Sequence, residues 1–184
     1  MNWINPQQKP SFQFKCGYCG NVVASSEGYG ISGYPSIGIY ICPHCSKPTF
    51  NGFNEVVPDV APGNEVGHLP DDVASLYLES RNCVAAGCYT ASVLTCRKLL
   101  AHIGVAQGAA TGLSFIKYVE HLADNGFVPP NGKGWVDHIR KKGNEANHEI
   151  VEMDRKDAEE LIMFIEMLLK FIYEFPNSIA PPPL

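Results

Sequence analysis

Apolar residues recur at three- and four-residue spacing near the C-terminal end of the chain, at Leu161, Phe164, Ile165, Leu168, Leu169 and Ile172, which is the pattern of one helix face. Asp154 stands where an N-cap belongs, and Asp157 and Glu159 fall in a first turn, where the helix dipole favours anions. The face is broad, so this helix is expected at the centre of a bundle, with a dimer interface as the alternative use of the same stripe. The same period begins after Leu69-Pro70, where Asp71 and Asp72 suit a first turn and Val73, Leu76, Tyr77 and Ser80 follow. Gly104, Gly126 and the run Pro129-Pro130-Asn131-Gly132 punctuate the rest, and the pattern predicts helices near residues 71–86, 88–104, 112–124, 133–148 and 155–174.

Residues 1–55 read differently. They are rich in Gly, Tyr, Ser and Pro, with short β-type runs at residues 20–24 and 38–42 separated by turn signals. The expected fold class is therefore mainly α: a bundle of about five helices preceded by a small β ribbon. The expected division is a ribbon over 1–55, a Pro/Gly-containing linker over 56–68, the helical bundle over 69–176 and a loose proline-rich tail over 177–184.

Composition supports a small metal-held module joined to a medium-sized domain, since 45% of the 184 residues are hydrophobic and 18% charged. The first ten residues lack the basic and apolar regions of a secretory signal, so no export is expected. The most apolar stretch, 161–173, is cut by Glu166 and Lys170 and is too short to span a bilayer, which predicts no membrane association. Seven cysteines, an odd number with paired spacings, fit reduced thiols in the cytoplasm better than a disulfide framework. The formal net charge of −5 provides no global attraction to a phosphate backbone, so nucleic-acid binding would need a local patch.

The strongest chemical signal is the set Cys16, Cys19, Cys42 and Cys45, in the runs Cys16-Gly-Tyr-Cys19-Gly20 and Cys42-Pro-His-Cys45. Each Cys-x-x-Cys turn aims two thiolates at one ion, and four sulfurs complete a tetrahedron, so one structural zinc ion per chain is expected. Ligand type also admits iron, because both knuckles resemble those of rubredoxin. His44 lies between two ligands and is read as a bystander. Cys83, Cys88 and Cys96 match no metal spacing and are expected to be core thiols.

The other informative stretch runs from Val136 to Glu149. On an uninterrupted helix Lys141, Asn144 and His148 share one stripe, with Arg140 beside it, which would make a small basic site. The same residues also read as a solvated cationic helix end, with Gly143 as its C-cap and His148 hydrogen-bonded within the bundle. Composition and spacing alone favour this second reading.

On these residues the chain resembles the bacterial domain of unknown function numbered 4145. The likeness rests on Leu69-Pro70, on Tyr77, Glu79, Arg97 and Leu99 in the helix pair over 74–102, and above all on the run from Ile139 through Arg140, Gly143 and Asn144 to His148. It covers roughly residues 69–176, and a four-cysteine ribbon often precedes that domain. The family looks like a branch of the HEPN-type helical domains found in toxins, antiphage defence and restriction systems, many of which cut RNA without a metal. In active members an arginine, four to six further residues and a histidine are contributed by two facing subunits. The resemblance implies that His148 and Asn144 match the motif's histidine and polar residue and that the chain forms a homodimer through its helical domain. The arginine departs from the pattern: Gly143 precedes Asn144, six residues separate Lys141 from His148, and seven separate Arg140 from it. The expectation is thus a non-catalytic module that binds RNA, DNA or a protein partner in antiphage defence or restriction. The alternative is a metal-independent endoribonuclease using His148 with Arg140 or Lys141.

Overall fold

The structure, a computed structural model, describes residues 2–128, 139 and 152–179. The chain divides into two compact units, Met1–Ala61 and Pro62–Leu184.

The first unit is an antiparallel meander of five strands in sequential order: β1 (Gln7–Lys15), β2 (Val22–Ile31), β3 (Tyr34–Ile41), β4 (Pro48–Gly52) and β5 (Glu55–Val57). Up-and-down connectivity puts the β1–β2 and β3–β4 turns at one end of the sheet and the β2–β3 turn at the other. Alternation is expressed on one face only: Phe14 and Tyr40 are buried together with Cys16 and Cys42, and Phe12 and Val23 pack at the margin. Phe12 stacks on Phe14 at 5.5 Å between ring centroids and tilts against Tyr40 at 5.2 Å. Two buried aromatic rings, two buried thiols and the buried Ile41 are too little apolar surface to hold a unit of this size, so the sheet needs a further source of folding energy.

The second unit begins with an extended segment pinned to the helices that follow it. These are α1 (Asp71–Ala85), α2 (Tyr89–Ala106), α3 (Phe115–Asp124) and α4 (Arg155–Leu169), the last continued by a π-helical turn, Lys170–Glu174, and a final α-helical turn, Phe175–Ile179. Arg81 donates from Nε to the Pro62 carbonyl at 2.7 Å and from Nη2 to that of Gly63 at 2.9 Å. The Tyr77 hydroxyl donates to the Asn64 carbonyl at 3.0 Å, and the Gly67 N–H donates to Glu174 Oε2 at 2.7 Å. Backbone groups of this segment are thus satisfied by side chains in place of a sheet or helix.

Among the described residues α2 packs against α1, α3 and α4, burying Val93, Cys96, Leu99, Leu100 and Ile103 while Lys98 and His102 face solvent. Small residues let α1 and α2 approach: Ser92 Oγ donates to the Ser80 carbonyl at 2.8 Å, and Ser80 Oγ to that of Tyr77 at 2.7 Å. α2 also runs past Gly104, where the sequence pattern ends it. A β-carbon there would sit 2.8 Å from Tyr118 Cδ1, so this glycine makes room for a ring from α3 and does not stop the helix.

The expected mainly helical, five-helix bundle is corrected by these elements. Among the described residues the chain is a mixture of α and β, with four helices of ten residues or more and a five-stranded antiparallel sheet. The sheet is larger than a pair of short ribbon strands because β1, β2 and β3 run nine, ten and eight residues. Their backbone pairing extends through Gly28, Gly30 and Gly38, which interrupt the side-chain alternation. Of the helix expected near 133–148 only Ile139 is described, helical and buried in the core; the rest lies outside the described residues. No described helix is long and apolar enough to cross a membrane.

Candidate metal centre

The meander delivers four cysteines to one place. β1 ends at Lys15 and leads into Cys16 and Cys19; β3 ends at Ile41 and leads into Cys42 and Cys45, and both turns lie at the same end of the sheet. The two knuckles share one hydrogen-bond frame. Cys16 N–H donates to Asn21 O at 2.9 Å and Gly20 N–H to Cys16 O at 2.8 Å; Cys42 N–H donates to Lys47 O at 3.0 Å and Ser46 N–H to Cys42 O at 2.8 Å. Gly20 and Ser46 hold the same place in the two turns, and both are left-handed, at φ +70° and +57°.

All four Sγ atoms lie within 4.8 Å of one another. Cys16 Sγ is 3.8 Å from Cys45 Sγ, and Cys19 Sγ is 3.8 Å from Cys42 Sγ. A tetrahedral ion with metal–sulfur bonds of about 2.3 Å requires sulfur–sulfur separations of about 3.8 Å. A disulfide would need about 2.05 Å. The distances are those of ligands around an ion, and the four cysteines form a site able to bind a metal.

The pairs differ in exposure. Cys16 and Cys42 are fully buried, while Cys19 and Cys45 are half-buried. Burial opposes ionisation of Cys19, but hydrogen bonds from the Asn21 backbone and side chain and from the Cys16 and Cys45 thiols lower its pKa to about 6. Burial, assisted by the neighbouring thiols and opposed by the Lys47 N–H, pushes Cys45 up to about 12. Asn21 does most to lower Cys19 and burial most to raise Cys45, and the crowded thiols add to both shifts by favouring a thiolate at Cys19 and a proton on Cys45. A divalent cation removes the conflict, because each sulfur can then lose its proton to a shared positive charge.

The residues around the cluster support the knuckles. Trp3 Nε1 donates to the Ser46 carbonyl at 2.8 Å and ties the N-terminal segment to the second turn. The Asn21 amide lies 3.1 Å from His44 Nδ1, so His44 is engaged beside the cluster and is not among its sulfur ligands. Lys47 Nζ sits 4.8 Å above the ring of Tyr18, which is 48% exposed. Trp3, Asn21 and Ser46 were not singled out by sequence; a serine at the position corresponding to Gly20 is the only local hint at one of them.

The remaining thiols separate. Cys96 is fully buried and burial pushes its pKa up to about 12, partly offset by Ser80 and Ser92. Cys83 is half-buried, and Cys88 is exposed, contrary to the core position expected for it, because it belongs to the turn between α1 and α2. Of the residues carrying the sequence resemblance, Leu99 is fully buried, Tyr77 holds the extended segment, and the Arg97 guanidinium lies 4.8 Å over the ring of Phe115. Arg140, Lys141, Asn144 and His148 lie outside the described residues.

The family model for the domain of unknown function DUF4145 matches residues 78–180, more than half of the chain. This protein belongs to the DUF4145 family. The DUF4145 match starts within α1 and takes in α2, α3 and α4, whereas the four cysteines all precede it. No curated protein and no solved structure matches the chain.

Proposed function

We propose that this DUF4145 protein is a non-catalytic binding module whose N-terminal sheet is folded on one structural zinc ion and contacts single-stranded nucleic acid. The observation that carries the reading is the closed four-sulfur set: sulfurs at 3.8 Å across the cluster leave a tetrahedral ion no open position for water or substrate. Zinc is the ion such a set most commonly takes, and iron is the substitute that the same ligands admit. The chemistry of the sheet surface supports a nucleic-acid ligand. Tyr18, in the first knuckle, is exposed with Lys47 over one face of its ring, a pairing of ring and cation of the kind that holds unpaired bases, and Tyr34 and Phe53 are exposed at the opposite end of the meander. Lys9, Lys15 and Lys47 match Glu27, Glu55 and Asp59 in number within the first unit, so the formal net charge of −5 belongs to the second. The sheet is therefore the part of the chain on which a phosphate backbone meets least repulsion.

Fluorescence anisotropy of a labelled single-stranded RNA with metal-loaded protein tests this. Binding that weakens as salt rises, and weakens further in Tyr18→Ala and Lys47→Ala, is the expected result. Absence of salt-sensitive binding to single-stranded RNA or DNA would overturn it, and a protein partner would become the better reading. Electrophoresis of the same RNA separates binding from catalysis: cleavage without added metal, lost in His148→Ala, would favour the endoribonuclease with Arg140 or Lys141. The homodimer and the setting in antiphage defence or restriction belong to the same proposal; exposed Met163, Phe171 and Phe175 provide an apolar surface on the helical unit for self-association. Light scattering of the purified chain reads that part directly.

A further inference from the structure

The turn between α1 and α2 pairs two cysteines that have no part in the metal centre. α1 closes with Gly87 N–H donating to the Val84 carbonyl at 3.0 Å and Cys88 N–H donating to the Cys83 carbonyl at 2.8 Å, with Gly87 left-handed at φ +74°. These are the two bonds of a Schellman helix end, and the residues joined by the longer one ordinarily bring their side chains into contact. Here those residues are Cys83 and Cys88, and in the reduced turn the Cys88 thiol donates to the Ala86 carbonyl at 3.7 Å.

Covalent geometry bounds their separation. An α-carbon lies about 2.4 Å from its own carbonyl oxygen and about 1.5 Å from its own nitrogen. With the 2.8 Å hydrogen bond between them, the α-carbons of Cys83 and Cys88 are at most about 6.7 Å apart. A disulfide accepts α-carbons about 4.4–6.8 Å apart. Cys88 is exposed and Cys83 half-buried. The thiols also sense each other: burial pushes the Cys83 thiol up, and the charge of Cys88 adds to that. Cys96, the other thiol of this unit, is fully buried.

We propose that Cys83 and Cys88 form a thiol–disulfide exchange site, with Cys88 as the attacking sulfur, Cys83 as the resolving sulfur and a low-molecular-weight disulfide as oxidant. Cys88 loses its proton to solvent and its sulfur bonds to one sulfur of the reagent, whose S–S bond breaks to release a first small thiolate that takes up a proton. Cys83 then loses its proton and attacks the Cys88 sulfur, displacing a second small thiolate that is protonated in turn. In balance, two protein S–H groups and one small disulfide become one protein disulfide and two small thiols. The bridge forms across a turn that already holds its ends together, so it locks the α1–α2 connection without moving either helix.

The test uses the full metal-loaded chain treated with glutathione disulfide, followed by alkylation under denaturing conditions and peptide mass mapping. Residues 82–97, between Arg81 and Arg97, carry Cys83, Cys88 and Cys96 in one tryptic peptide, so fragmentation must place each label. The expected peptide has lost two hydrogens, joins Cys83 to Cys88 and carries the alkyl group on Cys96. Cys83→Ser is expected to stop at a stable mixed disulfide on Cys88, and Cys88→Ser to leave Cys83 unmodified. A wild-type chain that stays fully reduced, stops at the mixed disulfide or bridges either thiol to Cys96 overturns the proposal. Because the wild-type map decides between these results, the proposal stays testable even if a variant fails to fold.

Discussion

Glu166 holds Asn64 with both carboxylate oxygens: the Asn64 N–H donates to Oε2 at 2.9 Å and the Asn64 Nδ2 donates to Oε1 at 2.9 Å. Lys170, one turn further along, donates to Oε1 at 2.6 Å. A side chain on α4 thereby fixes a segment a hundred residues earlier in the chain, and does so with charge-assisted bonds, the stronger kind.

That clasp makes the helical unit sensitive to acid. Burial alone would raise the Glu166 pKa, but the bonds from Lys170 and Asn64 outweigh it and hold the carboxyl below its ordinary value. A group with a depressed folded pKa contributes stability above its unfolded pKa and loses that contribution as pH falls through the folded one. Urea midpoints of the wild type are therefore expected to fall as pH drops through and below the carboxylate range. Glu166→Gln keeps one acceptor but no charge, and is expected to cost about 1–2 kcal/mol at neutral pH. Its midpoint should converge on that of the wild type in acid; a constant gap down to the lowest pH would assign the loss to packing instead.

The metal centre and the helices should fail separately. Cys19→Ser or Cys45→Ser removes one sulfur from a set that has no spare ligand, and the sheet has a core too small to persist alone. The expected outcome is loss of bound metal and of the β contribution to circular dichroism, with the helical signal of the second unit retained. Chelation of the wild type should do the same, and collapse of the helical signal along with the metal would contradict this independence.

Ser46 invites an improvement. It sits at φ +57° where the matching residue of the other knuckle is Gly20, and a left-handed backbone costs a residue with a β-carbon about 1–2 kcal/mol. Ser46→Gly relieves part of that strain, while glycine's greater freedom in the unfolded chain returns some of it. The net expectation is tighter metal retention, by a few-fold in competition with a chromogenic chelator. Gly20→Ala should shift the same competition the other way.

What could be read in the chain depended on how local its cause was. The four ligands and the Asp154 cap are written in spacings of two to four residues, and α1 starts at Asp71, beside Pro70 and two acids, as those residues require. The sheet exceeds the expected ribbon in part because β2 and β3 pair through Gly28, Gly30 and Gly38, which carry no side-chain signal. The end of α2 was misplaced because the reason for Gly104 is the Tyr118 ring, on another helix. The anchoring of the extended segment by Glu166 and Glu174 involves partners 102 and 107 residues apart, and no local pattern records it. Exposure of Cys88 follows from its place just beyond a helix end, which the helix pattern alone put inside α2.

The start of α4 provides the most local prediction. Asp157 N–H donates to Asp154 Oδ1 at 2.8 Å and Asp154 N–H donates back to Asp157 Oδ2 at 3.3 Å, a reciprocal box that satisfies two backbone donors at the helix end. The turn it secures leads directly into Ala158, Leu161 and Ile162, all buried. Fraying there would loosen the core as well as the helix. Asp154→Ala is expected to destabilise the second unit by about 1 kcal/mol, and Asp154→Ser, which keeps an acceptor at the cap, by less. Chemical denaturation followed by helical circular dichroism measures both. Equal losses in the two variants would show that the carboxylate's charge near the positive end of the helix, and not its hydrogen bond, is what holds the turn.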